Sequence, residues 1–286
     1  MINRLSRNLK LIKEKNLPYD KVLYNRMVNT KKNLPFDEVL YNRKKKLAKR
    51  IYKIFSGKIQ YGRYASTKID RSKVQKNRFG SCLSSKLLGL YEEQVQDKII
   101  ELKKKYKLET IINFGAEEGY HIVGLIKNSY FKRGLAFERD PLIKKNLRKN
   151  IKINNLSKKI DIYGNANFKQ INDCLNKNEL TKTLFLVDIE GGEFDIFNKN
   201  NIQTFKNSVL VIENHDFMIK NKKKIKKFTQ LIRKNFNIEI LKNTTRNPFL
   251  SKKLSMISDN DRWIIVSEGR PCEMNWIICK PKTKLN

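Results

Sequence analysis

Histidine is nearly missing from this chain: its 286 residues include two, His121 and His215. Cysteine is little better represented, and Cys82, Cys174, Cys272 and Cys279 are scattered with no CxxC pair among them. Neither a zinc pattern nor a disulfide framework can be drawn from such a set, so the sequence predicts no structural metal and a reducing, cytoplasmic setting. Long apolar runs are absent as well. Lys and Arg interrupt the opening MINRLSRNLKLIKEK before it reaches the length of a signal-peptide core. No later stretch approaches about 18 uninterrupted apolar residues, so no spanning helix is expected.

Acidic residues are scarce. Lys and Arg number 62 against 28 Asp and Glu, a formal net charge of +34. Residues 1–80 alone hold 23 basic and 5 acidic side chains, a net of +18 in under a third of the length. Two explanations stand. Lys, Asn and Ile are heavily used throughout, as a compositional preference would give; alternatively the basic arm is an anion-binding surface for RNA or a membrane. The arm also carries an imperfect repeat, NLPYDKVLYNR at 16–26 and NLPFDEVLYNR at 33–43. Each copy reads as a short amphipathic helix with Pro at an early position and an acid in the first turn. The two helices either pack on the protein or form a binding arm, with Tyr24, Tyr41 and the run Arg43, Lys44, Lys45 and Lys46 available to an anionic partner.

A hydrophobic content of 40% in a chain of this length supports one sizeable core plus an appendage. The sequence divides into a basic, largely helical N-terminal arm with its connector, 1–80, and a main domain, 81–286. A helix-spaced segment closes at Tyr106, and the pattern then alternates. Strand-like runs at 110–115, 134–138, 159–165, 183–190 and 208–215 are separated by stretches of crossover length. Apolar strands each followed by a helix predict an α/β domain with a doubly wound, mostly parallel sheet. Two further strands, 236–244 and 275–281, bring the total to seven, the last an antiparallel partner at or near the edge. The segment 259–269 reads equally as strand or helix.

In such sheets ligands bind beyond the carboxyl ends of the strands. At the first end, INFGAEEGYHIVGL offers Gly115 for a tight turn and Gly119 for close approach of the following helix and a ligand. The turn lacks the GxGxxG form and a Walker lysine, which favours an adenosine without phosphates over a dinucleotide or triphosphate. The second strand ends FERDP, where Glu138 follows the turn by about 20 residues, the spacing of a ribose clamp, with Asp140 as the other carboxylate in reach. Of the two histidines, His215 is flanked by Glu213 and Asp216 at a strand end and is the candidate base, with Asp188 and Glu190 as alternatives. It is otherwise a residue that hydrogen-bonds its own loop. For DIEGGE, helix-capping acids are the plain reading. His121, early in the helix after the glycine turn, reads as a packing residue.

Five segments in order, NFGAEEGY (113–120), FERDP (137–141), GNAN (164–167), VDIEGGEFDIF (187–197) and VIENHD (211–216), give the chain its resemblance to Rossmann-like class I methyltransferases, and within them to the FkbM type. The resemblance covers roughly 80–281. It implies S-adenosyl-L-methionine as cofactor, with Gly115, Ala116, Glu117 and Gly119 along its methionine end, Glu138 on the ribose, Asn165, Ala166 and Asn167 beside the adenine, and Asp188 and Glu190 facing the transferred methyl. Similar proteins more often have Asp where this chain has Asn113 and Glu138. Asn113 brings no charge to the methionine ammonium, a contact for which Glu117 is the substitute. The implied activity is O-methylation of a small-molecule, lipid or glycan acceptor; the other reading is an RNA-binding or RNA-modifying protein on the same scaffold. No NPPY-type motif for base amino groups is present.

Overall fold

The computed structural model describes residues 35–70, 82–166, 168–270 and 272–282. They separate into two compact units, one drawn from residues up to 62, from 70–91 and from 246–271, the other from 63–69, 92–245 and the C-terminal segment from 272. The first copy of the repeat, with Tyr24, lies outside the described residues.

The larger unit holds a seven-stranded sheet in the order β3-β2-β1-β4-β5-β7-β6. The strands are β1 (Thr110–Phe114), β2 (Arg133–Phe137), β3 (Ile160–Tyr163), β4 (Thr183–Val187), β5 (Val209–Glu213), β6 (Phe236–Lys242) and β7 (Asn275–Pro281). The first five are parallel, and every residue of β1, β4 and β5 is buried, as expected of strands covered on both faces. Register is continuous across the middle: Ile112 pairs with Leu135 on one side and Phe185 on the other. The last strand is an antiparallel partner near the edge, as expected, one strand in from the border. It runs antiparallel between β5 and β6, which leaves β6 as the border strand. Its burial explains the position: Trp276, Ile278 and Cys279 are enclosed, whereas exposed and half-buried residues alternate along most of β6.

Aromatic side chains fill the space between sheet and helices. Phe114 meets Phe137 edge to face at 5.2 Å between ring centres, and Phe185 meets Phe205 at 5.0 Å. The order 3-2-1-4-5 places the ends of β1 and β4 side by side at the centre of the sheet, the crevice where doubly wound sheets take ligands.

In the smaller unit the second repeat copy does form helix, with Pro35 at its start, but the helix runs 21 residues to Phe55. Leu47, Ala48, Ile51 and Phe55 continue the apolar face and pack with Leu83, Leu87, Ile257 and Ile265. The ambiguous segment 259–269 is a helix, Asp259–Val266, whose N-cap Ser258 accepts the Asp261 amide. The Arg43–Lys46 run is partly committed to this unit. Arg43 forms an ion pair with Asp261, and Lys44 is 6% exposed with its Nζ 3.5 Å from Ser267 Oγ.

Burial lowers the Lys44 pKa from 10.5 to about 8, against the pull of Cys82 and Glu268. The folded state therefore binds this proton less well than the unfolded chain, and its contribution to stability improves as pH rises from about 8 to 10.5. Lys44→Met is expected to stabilise the fold at pH 7 by an amount on the order of 1–3 kcal/mol, seen as a higher thermal midpoint. The advantage should shrink steadily when unfolding is followed from pH 8 to pH 10.5; a pH-independent difference would mean that Lys44 is not held as a buried cation.

Among the described residues no helix is long and apolar enough to cross a membrane.

Candidate active site at the strand ends

Three strand ends are tied together by backbone bonds. Gly115 N and Ala116 N both donate to Phe137 O at 3.0 Å, and Asp188 N donates to Phe114 O at 3.0 Å. Gly115 adopts φ +76°, and a Cβ built there would lie 1.7 Å from the Asp188 carbonyl oxygen. Gly119, at φ +92°, starts the helix Tyr120–Lys127, and its Cβ would meet Leu147 Cδ1 at 2.6 Å. Gly115 is thus required by the close approach of the Asp188 backbone, and Gly119 by its left-handed φ beside the Leu147 and Val123 side chains.

Glu138 follows β2 directly and is 8% exposed. Its Oε2 accepts the Glu117 amide at 3.0 Å and its Oε1 the Asp140 amide at 2.8 Å. Each oxygen retains acceptor capacity after one such bond. Asp140 caps the helix Pro141–Ile153, accepting the Leu142 and Ile143 amides, so that carboxylate already has a structural task. Glu117 is exposed, at φ +49°. Asn113 is 3% exposed within β1, and its Nδ2 lies 3.4 Å from both Phe114 O and Leu186 O. An amide can donate to those carbonyls, whereas a carboxylate would be repelled by them. Asn165 is exposed after β3, Ala166 packs against the core, and Asn167 lies outside the described residues.

At the ends of β4 and β5 the three candidates for acceptor chemistry come together. His215 Nε2 is 3.7 Å from Asp188 Oδ1 and 3.5 Å from Glu190 Oε2. Two further acids, Glu193 and Glu213, join them. Glu213 Oε2 is 3.4 Å from Nε2, and Glu193 Oε1 accepts the His215 amide at 3.0 Å and sits 3.2 Å from Nδ1. Glu193 Oε2 accepts the Gly191 amide at 2.9 Å. His215 is 2% exposed. Burial pulls its pKa down, but the Glu193 bond and the charges of Glu213, Glu193 and Glu190 outweigh this and lift it to about 9. Asp188 is pushed well above the ordinary carboxylate range, first by burial and then by the charges of Glu213 and Glu190. Its Oδ1 is enclosed and has no hydrogen-bond partner.

His121 does more than pack. Its Nδ1 is 3.0 Å from Tyr64 Oη and its Nε2 2.8 Å from Glu92 Oε2, with Glu92 1% exposed. Sequence reasoning missed this Tyr64–His121–Glu92 chain, whose members are far apart and unremarkable in their own segments. It undervalued Glu193 too, since a carboxylate in a first helical turn resembles a cap until its partner across the sheet is seen.

No protein-family model matches this chain, and no curated protein sequence matches it. Solved structures that it is similar to include an O-methyltransferase from Bacillus cereus in complex with SAH (12% identity, TM-score 0.43, 65% of this chain and 81% of that one). Others are the precorrin-6y C5,15-methyltransferase from Geobacter metallireducens (14%, 0.41, 65% and 87%) and the m1A22 tRNA methyltransferase TrmK of B. subtilis (8%, 0.42, 65% and 64%).

Proposed function

We propose that the chain is an S-adenosylmethionine-dependent methyltransferase of the FkbM type, acting on an oxygen of a small-molecule, lipid or glycan acceptor. The observation that carries this reading is Glu138. Its carboxylate is fixed at the end of β2 by two backbone amides, one of them from the glycine turn itself, with acceptor capacity left for two adjacent hydroxyls. An adenosine ribose presents such a pair. The donor set fits this ligand better than a dinucleotide, because the turn offers neither the phosphate-cradling glycines nor a lysine.

When bound, the cofactor supplies a methyl group already made electrophilic by its sulfonium. What the chain has to add is alignment and removal of a proton. In this reading Gly115, Ala116 and Gly119 keep the backbone low along the methionine end, Asn165 and Ala166 border the adenine, and Asp188, Glu190 and His215 receive the acceptor. Glu193 positions His215 by holding its Nδ1, which turns Nε2 toward the other acids.

Isothermal titration with S-adenosylmethionine is expected to give one site per chain. Glu138→Gln, which keeps one oxygen for a backbone amide, is expected to weaken binding at least tenfold, roughly 1.4 kcal/mol, with an unchanged circular dichroism spectrum. Binding that is absent from the wild type would refute the methyltransferase reading, and an unaffected Glu138→Gln would remove the ribose from β2.

A further inference from the structure

We propose that Asp188, Glu213 and His215 form a binding site for one divalent transition-metal ion. The sequence gives no such signal, and the prediction of no metal followed from missing cysteine and histidine patterns; this site is built instead from residues that meet only where β4 and β5 end side by side. One atom from each lies within 4.8 Å of the other two. His215 Nε2 is 3.4 Å from Glu213 Oε2 and 3.7 Å from Asp188 Oδ1. An ion with bonds of about 2.1 Å separates adjacent ligands by about 3.0–3.4 Å, so the Glu213–His215 spacing already fits and the Asp188–His215 spacing exceeds it by a few tenths of an ångström.

Three observations separate this arrangement from a chance gathering of acids. The imidazole is held from behind: Glu193 takes its Nδ1 side, and Glu193 is in turn fixed by the Gly191 and His215 amides. That is the carboxylate–histidine pairing which orients a metal ligand. It also leaves Nε2 pointing at carboxylate oxygens, a contact that requires a cation between the atoms. A proton there can serve one oxygen at a time. Asp188 Oδ1, enclosed and without a hydrogen-bond partner, is the atom a proton leaves unserved and a metal would not. Finally, Asp188, Glu190, Glu193 and Glu213 bring four carboxylates around one imidazole. A divalent ion offsets that excess better than a single proton.

One nitrogen and two carboxylate oxygens suit Mn²⁺ or Zn²⁺ better than Mg²⁺ or Ca²⁺, which prefer all-oxygen sets. Glu190, whose side chain is 70% exposed and whose Oε2 is 3.5 Å from Nε2, is placed to close or open a fourth position. Any role of the ion in activating an acceptor oxygen rests on the methyltransferase reading. The site itself does not.

The test is Mn²⁺ titration of the untagged full chain, following the loss of the free-ion paramagnetic resonance signal. One ion per chain is expected. Asp188→Asn and Glu213→Gln should each weaken uptake at least tenfold, and Glu193→Gln, which leaves all three ligands in place, by 10–100-fold as a positioning residue. Zn²⁺ should displace Mn²⁺, and Mn²⁺ should raise the wild-type thermal midpoint, a measurement that needs no variant to fold. Uptake by the wild type equal to that of an Asp188→Asn/Glu213→Gln double variant, or no midpoint shift with Mn²⁺, would overturn the site. Displacement by equimolar Mg²⁺ would overturn the mixed nitrogen and oxygen assignment. Cofactor binding without ion uptake would sink this inference alone, and ion uptake without cofactor binding would sink the methyltransferase reading alone.

Discussion

Gly115→Ala is expected to cost about 3–5 kcal/mol of stability and to lower the thermal midpoint by about 10 °C. Two penalties act together. The residue sits at φ +76°, where a Cβ is strained by roughly 1–2 kcal/mol. That Cβ would also lie 1.7 Å from the Asp188 carbonyl oxygen and 2.9 Å from its carbon, and both atoms are backbone. No rotamer change relieves the overlap, so the ends of β1 and β4 must separate. Their separation opposes the 3.0 Å bond from Asp188 N to Phe114 O and moves Asp188 relative to His215. The variant should therefore lose cofactor affinity as well as stability. Gly164→Ala is the control, since a Cβ there meets nothing within 4 Å, and its effect should stay within about 0.5 kcal/mol. Equal thermal midpoints for the two variants would show that β1 and β4 are not this close.

The ends of the parallel strands were legible because each couples an apolar run to a residue that ends it: Gly115 after β1, Glu138 after β2, Asp188 after β4. A run buried on both faces leaves a strong local pattern: β1 and β2 begin and end within one residue of the predicted runs, and β4 begins at the predicted residue and ends at Val187, three residues before the end of its run. What escaped was set by contacts between distant residues. The place of β7 depends on Trp276 and Ile278 being buried against β5, and nothing in NWIICKP distinguishes an inner antiparallel strand from an outer one. The helix Asp259–Val266 contains Trp263, Ile264, Ile265 and Val266, types that favour strands locally; its Ser258 cap and the burial of Ile265 and Val266 decide otherwise.

Charge misled in a different way. Arg43 and Lys44 look like half of a free basic run, yet one is paired with Asp261 and the other is enclosed. Periodicity could have warned of this, because Lys44 lies three and four residues before Leu47 and Ala48 on the buried face. In the DIEGGE segment the sequence offers three acids with little to rank them. The fold ranks them sharply: Glu190 is 70% exposed, Asp188 31%, and Glu193 1%.

That ranking yields the second large expectation, that Glu193→Ala destabilises the protein by about 3–5 kcal/mol while Glu190→Ala changes stability by less than about 0.5 kcal/mol. Glu193 accepts the Gly191 amide at 2.9 Å and the His215 amide at 3.0 Å, and it lies 3.2 Å from His215 Nδ1. Truncation strands two buried backbone donors and an imidazole nitrogen, each costing about 1–3 kcal/mol, and leaves a void beside a side chain that is 2% exposed. Glu193→Gln should fall between, because one amide oxygen remains to accept while the new NH₂ group faces a donor. Denaturant unfolding of the three variants at one pH checks the order. If Glu190→Ala proved as costly as Glu193→Ala, the imidazole would be held from its solvent side, and Glu193 would be an ordinary helix cap.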